Sequence, residues 1–528
     1  MGTAEPGSWL RLYHPQARFH FMIAIMASIF TASHGLLGLT AVVTVGIAWF
    51  VVSTVVSYRR LRHIPGPWLA RISQLWLFKV TWKGDLYLAM EEVHEKYGSP
   101  ARIGPNMVIF DDPEYSRLMN APRSPFRRGH WYKAMKLDPR INNLLSEQDE
   151  RRHAELRAKM MPGYTAKEVP SLEATIDDRV LDLIALIKRE GIVKRSPIDF
   201  ATFAQYFTLD SLTHIAFGHP FGFLTQNEDL YNYNKSSTAF FPVLEFVTNF
   251  PLVHSFLSSS FVQALAGPKP EDKAGLGAII GIAQQIVADR FHPGSESKSE
   301  QDMLNSFIKH GLTQLEAESE SLLQILAGSD STATTIRMTL LFILTNPAVY
   351  IKLRTEIDSA IADGQISFPV VKHSEAQALP YLQACIKEGL RMWQPLNGIG
   401  TKLSPPEDIE VCGVRIPAKT QVAIGQHMMM RRRDLFGEDA SIFRPERWVE
   451  NNPETLKRME RVWELTFSAG RFTCLGKGIA LMELNKVFVE LFRRYDLGIV
   501  NPVNTMETKC HQIHVQRKMF LHVTARPM

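Results

Sequence analysis

Phe467-Ser468-Ala469-Gly470-Arg471-Phe472-Thr473-Cys474-Leu475-Gly476 sets one cysteine in a glycine-bracketed loop, and the apolar run Gly478-Ile479-Ala480-Leu481-Met482-Glu483-Leu484 that follows reads as the start of a helix. A thiolate at a helix N-terminus gains from the helix dipole and from nearby N–H donors, which lowers its pKa. Glycines let the backbone turn sharply and approach a large flat ligand with no Cβ in the way. A loop that donates hydrogen bonds to one thiolate suits an iron ligand better than a disulfide or a zinc cluster. Outside such a frame the cysteine would read as an ordinary buried free thiol.

Three segments upstream read as partners of this loop. Thr313-Gln314-Leu315-Glu316 is a capping box that opens an apolar-patterned helix running to Leu344, where Asn346-Pro347 stops it. About 30 residues of helix span roughly 45 Å, enough to cross a domain. Halfway along lies Ala327-Gly328-Ser329-Asp330-Ser331-Thr332. Its two small residues open a notch for a bulky ligand, and its hydroxyls can bond back to earlier carbonyls and loosen the turn. A second helix begins near Pro380, ends at Gln394-Pro395, and carries Glu388 and Arg391 at i, i+3 on one face. Arg447, in Phe443-Arg444-Pro445-Glu446-Arg447-Trp448, is placed to join them in a buried cluster of two arginines and one carboxylate. Val411–Ile416 and Gln421–Ile424 read as short strands.

With 528 residues, 45% hydrophobic and 21% charged, the chain suffices for a large enzyme core. Its four cysteines (Cys385, Cys412, Cys474, Cys510) have no CxxC spacing, which argues against a disulfide framework and structural zinc. A net charge of +5, without basic tracts interleaved with aromatics, argues against nucleic-acid binding. Gly35 to Ser57 is 23 residues without a charge, long enough to cross a bilayer, and Tyr58-Arg59-Arg60-Leu61-Arg62-His63 is a basic stop expected on the cytoplasmic side. The apolar stretch 19–33 leaves one or two membrane helices open, and the length favours a retained anchor over a cleaved signal. Residues 1–63 are thus read as the anchor and 64–528 as one globular domain, joined at the stiff Ile64-Pro65-Gly66-Pro67 connector.

In this order, from Ile64 to the C-terminus, these motifs resemble the cytochrome P450 family of haem-thiolate monooxygenases. The resemblance implies a mainly α fold with small β-sheets behind a transmembrane anchor. It implies haem ligated through Cys474, with Phe467, Arg471 and Gly476 beside it. Glu388, Arg391 and Arg447 would lock the core. Asp330, Ser331 and Thr332 would deliver protons as O2 is activated and one oxygen atom is inserted into a C–H bond. Three departures stand out. Phe472 occupies the position where the family carries an arginine or histidine for a haem propionate, so that role falls to Arg157, His153 and Lys402. His153-xxx-Arg157 replaces a Trp-xxx-Arg pair, and Ser331 stands where threonine usually follows the acid. No dinucleotide-binding glycine fingerprint is apparent, so electrons would come from a separate NADPH–cytochrome P450 reductase at the endoplasmic reticulum membrane. Arg431-Arg432-Arg433 reads as part of its docking face or as a solvated basic loop. The apolar stretches Phe240–Leu244 and Phe246–Phe256 read as a membrane-dipping access region or a buried helix pair, and Phe126, Trp131, Leu326 and Ile399 as pocket residues for a lipophilic substrate. Cys474-Leu475-Gly476-Lys477-Gly478-Ile479-Ala480 is similar to fungal members of secondary metabolism. Three rivals remain, the first two being a haem-thiolate enzyme without oxygen insertion and a non-enzymatic membrane haem-binding protein. A third, a secreted glycoprotein, would use the sequon Asn234-Lys235-Ser236.

Overall fold

The computed structural model describes residues 35–294 and 301–527, and the described part of the segment read as an anchor forms a helix, Gly35–Arg60. Its Thr40–Arg60 part is long and apolar enough to cross a membrane and is not buried against the rest of the protein. The apolar stretch 19–33 lies outside the described residues, as does most of the polar segment 293–300. The foot of this helix is docked. Arg102, fully buried, donates to the carbonyls of Ser57 (3.1 Å), Arg71 (2.9 Å), Gly104 (3.1 Å) and Pro105 (2.6 Å). The Arg102 N–H reaches the Pro65 carbonyl at 2.7 Å, and Gly66 passes so close that a Cβ there would fall 2.1 Å from the Arg102 oxygen. The connector is therefore non-helical, as its prolines dictate, and is packed onto a strand. Leu61 and Ile64 sit in the core with Val108, Phe110 and Val422, so globular packing begins at Leu61.

Helices dominate. The 31-residue helix Gln314–Leu344 opens on the expected capping box, with the Glu316 N–H on Thr313 Oγ1 at 3.3 Å and the Thr313 N–H on Glu316 Oε2 at 2.9 Å. It packs against helices Phe200–Phe217, Gly275–Phe291, Pro380–Met392 and Lys477–Arg494. The main sheet has five short strands in the order Ala101–Gly104, Met107–Phe110, Gln421–Ile424, Lys402–Leu403, Arg127–Arg128, parallel only between Met107–Phe110 and Gln421–Ile424. The apolar run at 411–416 is not one strand. Cys412 (φ 51°) and Gly413 (φ 72°) are left-handed and fold it into a hairpin of Ile409–Val411 and Val414–Ile416. This is the turn geometry that joins antiparallel strands tightly.

Glu388, Arg391 and Arg447 come together with no side-chain exposure at all. Arg391 donates to both carboxylate oxygens at 2.8 Å each, Arg447 Nε to Oε1 at 2.8 Å, Trp448 Nε1 to Oε2 at 2.8 Å, and the Arg444 N–H to Oε1 at 2.9 Å. The spare guanidinium N–H groups are absorbed by the carbonyls of Met430, Ala440, Asp439 and Ile442. A fully hydrogen-bonded buried charge cluster of this kind fixes one arrangement of the segments that carry it.

Candidate active site

Cys474 sits three residues before helix Lys477–Arg494, and its N–H bonds the Phe467 carbonyl at 2.8 Å, closing the loop. Gly470 makes the loop possible. Its φ is +56°, and a Cβ there would lie 2.3 Å from the Asn120 carbonyl oxygen. Gly470→Ala is therefore expected to cost about 2–3 kcal/mol, read as a lowered thermal unfolding midpoint together with weaker cofactor retention. Cys474 is exposed, yet the protein encloses it closely enough for burial to push its thiol up. Together these place it on the wall of an internal space. The expectation of a lowered thiol pKa is corrected here. The N–H groups of Gly476 and Lys477 and the charge of Arg157 do pull it down, but burial outweighs them. The chemistry that holds a thiolate in such a place is a metal, whose charge displaces the proton outright.

The second motif lies in the middle of the long helix, which packs against the helix that follows Cys474. Ala327 is exposed and Ser331 half-exposed, while Leu326, Ser329, Asp330 and Thr332 are buried. The notch is smaller than the sequence implies: Gly328 faces Leu212, whose side chain would lie 3.1 Å from an added Cβ, so this glycine serves helix packing and Ala327 alone opens the wall. The Ser331 hydroxyl bonds back to the Ala327 carbonyl at 2.8 Å. Asp330 turns the other way. It accepts from the Tyr233 hydroxyl at 2.7 Å, and that hydroxyl also meets Ser329 Oγ at 2.8 Å. Burial raises the Asp330 carboxyl to about 6 against the pull of Tyr233 and of Arg337. Tyr233 escaped the sequence reading, because nothing in the primary structure places the start of helix Tyr233–Asn249 over this turn.

A basic cluster lies beside the cysteine loop. Arg128, His153, Lys402 and Arg471 surround the ring of Phe472. His153 faces Arg128 at 3.3 Å and is held neutral, its pKa lowered to about 3 by burial and by Arg128. Lys402 spends its ammonium on the Met119 carbonyl and Asn120 Oδ1, both at 2.8 Å. Arg157, one turn further along the same helix, acts electrostatically on both His153 and Cys474. Arg128 was missed, since a two-residue strand carries no pattern. The remaining pocket candidates are core residues. Phe126 packs with the main sheet, Leu326 in the large helical core, and Ile399 with Leu77 and Leu86, while Trp131 lies between two clusters with an unpartnered Nε1. Arg431-Arg432-Arg433 forms no basic face: Arg431 is partly buried on the Met392 carbonyl, Arg432 pairs with Asp434, and Arg433 is exposed beside Glu438. Ser236 of the sequon is buried in a helix and accepts from the Gly275 N–H.

The sequence model of the cytochrome P450 family matches residues 63–522. The chain belongs to the cytochrome P450 family. The cytochrome P450 monooxygenase ABA1 of Pyricularia oryzae is 40% identical over 506 residues, covering 94% of this chain and 98% of its own length. The aba1 monooxygenase of Botryotinia fuckeliana is 38% identical over 470 residues, covering 88% and 92%. The pisatin demethylase of Fusarium vanettenii is 29% identical over 480 residues, 89% of each. P450 enzymes are monooxygenases whose haem iron is ligated by a cysteine thiolate, and the residues here fit that group. Cys474 offers the sulfur. Gly478 leaves open space, with no atom within 4 Å of an added Cβ. Buried N–H groups on Arg128 (Nε) and Arg471 (Nε, Nη2), and Nδ1 of His153, lack a protein partner and are available to carboxylates of the macrocycle.

Proposed function

We propose that this P450 is a membrane-anchored monooxygenase that oxidises a lipophilic small molecule in secondary-metabolite biosynthesis. Its electrons would come from a separate NADPH–cytochrome P450 reductase, on the cytoplasmic side of the endoplasmic reticulum. The observation that carries the reading is the Ala327–Thr332 turn, which offers a hydroxyl on the open side of the long helix and a buried carboxyl of raised pKa behind it.

Haem bound through Cys474 supplies O2 activation for insertion of one oxygen atom into a C–H bond, at the cost of two electrons and two protons. The chain's own residues handle the protons. A carboxyl near pKa 6 both takes and gives a proton close to neutrality, the condition for efficient general acid–base work. Tyr233 and Ser329 hold Asp330 in place. Ser331, with its bond to the Ala327 carbonyl loosening the turn, presents a hydroxyl to the open side, and Thr332 follows it in the buried wall. Asp330→Ala is expected to slow turnover about 100-fold while haem content stays at the wild-type level. An unchanged rate would remove Asp330 from the relay.

A lipophilic substrate is supported by an exposed apolar face next to the anchor. Leu75, Phe78 and Trp82 project from helix Leu75–Lys83, and Leu252, Phe256, Phe261 and Leu265 from the segments after helix Tyr233–Asn249. Phe78 joins the two, with ring centroids 5.5 Å from Phe246 and 5.8 Å from Phe250. A contiguous apolar surface of this kind, beside a bilayer-length helix, is suited to contact with lipid. Within 240–256, Phe241 and Leu244 are core, as in a buried helix pair, while Val243, Leu252 and Phe256 are exposed, which supports an access region. For the redox partner, Arg151 projects from helix Glu150–Met160 into solvent, on the helix that carries His153 and Arg157.

A further inference from the structure

Strand register sets two cations face to face. Arg128 and Lys402 are directly opposed partners in the antiparallel pairing of Arg127–Arg128 with Lys402–Leu403, where like charges destabilise a sheet. Both are buried. The ring of Phe472 serves both: Lys402 Nζ lies 4.0 Å and the Arg128 guanidinium carbon 4.2 Å from its centroid, and the Arg471 guanidinium is at 5.0 Å. Tyr132 gives Arg128 a second aromatic ring at 4.9 Å. The negative face of an aromatic ring attracts cations most strongly where water is excluded. It carries no net charge, so the excess remains. Glu150 is the carboxylate in contact with this group, paired with Arg471 and 3.7 Å from Arg127. Glu147 meets Arg128 through its backbone carbonyl, at 2.8 Å. The carbonyls of Leu144 and Leu145 complete the Arg128 Nη1 shell, and Pro122 accepts from Arg471. Two buried basic side chains and the half-buried Arg471 thus meet one carboxylate, with N–H groups of Arg128 and Arg471 unpartnered, and the crowding shows in Lys402, whose ammonium is lowered to about 6 by burial and by Arg128 and Arg471. Such an excess is costly unless an anion joins it.

We propose that Phe472 is a positioning residue for the cofactor: its ring gathers Arg128, Lys402 and Arg471 into one cluster that holds the two haem carboxylates, a task to which phenylalanine itself contributes no hydrogen bond. The ring acts through the cations, so its face matters and not merely its bulk. Lys402, held by Met119 and Asn120, supplies charge once a carboxylate stands beside it, and the unpartnered N–H groups of Arg128 and Arg471 supply the hydrogen bonds.

The test compares Phe472→Leu with Phe472→Tyr in the holoenzyme, measuring haem loss to excess apomyoglobin and the midpoint potential of the iron. Leucine keeps apolar bulk and removes the ring, and is expected to speed haem loss about tenfold and move the potential to a more negative value, as the carboxylates lose their neutralising cations. Tyrosine keeps the ring and is expected to stay near wild type in both. Lys402→Met, which leaves the ring in place, is expected to move both readouts in the same direction as leucine. Equal haem loss from the leucine and tyrosine variants, or leucine and methionine variants indistinguishable from wild type, would overturn the proposal.

Discussion

Cys474→Ala is expected to abolish the red-shifted Soret band that thiolate-ligated haem gives in the reduced, CO-treated protein, while Cys385→Ala and Cys412→Ala retain it. The four cysteines differ in their surroundings. Cys385 and Cys510 are buried, and burial pushes both thiols well up. Cys412 is exposed at a hairpin turn, its thiol raised to about 11 by burial and by Asp112 and Asp111. Cys474 alone of the four receives two backbone N–H groups and the field of a nearby arginine and lysine while facing open space. The N–H groups come from Gly476 and Lys477, at the cap and first residue of the last long helix, so they remain when the side chain is removed. Alanine therefore leaves the loop intact and deletes only the donor atom. The difference spectrum isolates the sulfur, because a protein that merely lost its fold would show neither thiolate-type nor other ordered ligation. A retained red-shifted band would put the iron ligand elsewhere.

The parts of this architecture that sequence made legible are those where local chemistry dictates geometry. Thr313 and Glu316 cap a helix because their side chains bond each other's backbone within four residues, and Asn346-Pro347 ends it for an equally local reason. The cysteine loop was legible because Gly470 has no substitute at its φ and at its distance from Asn120. Illegible features depend on approach between distant segments. Whether Gly328 opens onto a ligand or onto Leu212 is decided by helix Phe200–Phe217, more than 100 residues upstream. The partner of Asp330 is a tyrosine almost as far away in sequence. The thiol pKa of Cys474 went the opposite way from the sequence expectation because dipole and N–H effects can be read from the chain, whereas the burial that outweighs them cannot. Arg128 was invisible because its place in the basic cluster follows from strand register, and the segment that sets it is two residues long.

Glu388→Gln is expected to be the most destabilising of the substitutions considered, by about 3–5 kcal/mol. Two arginines with no exposed surface would then share a neutral amide. One of its two acceptor positions becomes an N–H donor, which can replace neither Oε1, serving Arg391, Arg447 and the Arg444 N–H, nor Oε2, serving Arg391 and Trp448. Since a folded domain is stable by only about 5–15 kcal/mol, such a variant would accumulate little holoprotein at physiological temperature. The acid dependence of unfolding distinguishes charge loss from packing loss. Burial alone would raise the Glu388 carboxyl, but Arg391, Arg447 and the Arg444 N–H hold it below the ordinary carboxylate range. A group whose folded-state pKa is depressed contributes stability that is fully present above its unfolded value, near 4.3, and is lost as the pH falls through the folded value. In wild type this appears as a decline of the unfolding midpoint below about pH 4.3. In Glu388→Gln that group no longer titrates, so its share of the decline disappears and the gap between the two proteins narrows toward acid pH. A gap constant from pH 7 to pH 3 would mean that the glutamate contributes shape and hydrogen bonds but not charge. Arg447→Met tests the same balance from the other side. It leaves Glu388 with Arg391 as a bidentate partner, so it is expected to cost less than the glutamine and to leave the acid-side decline in place.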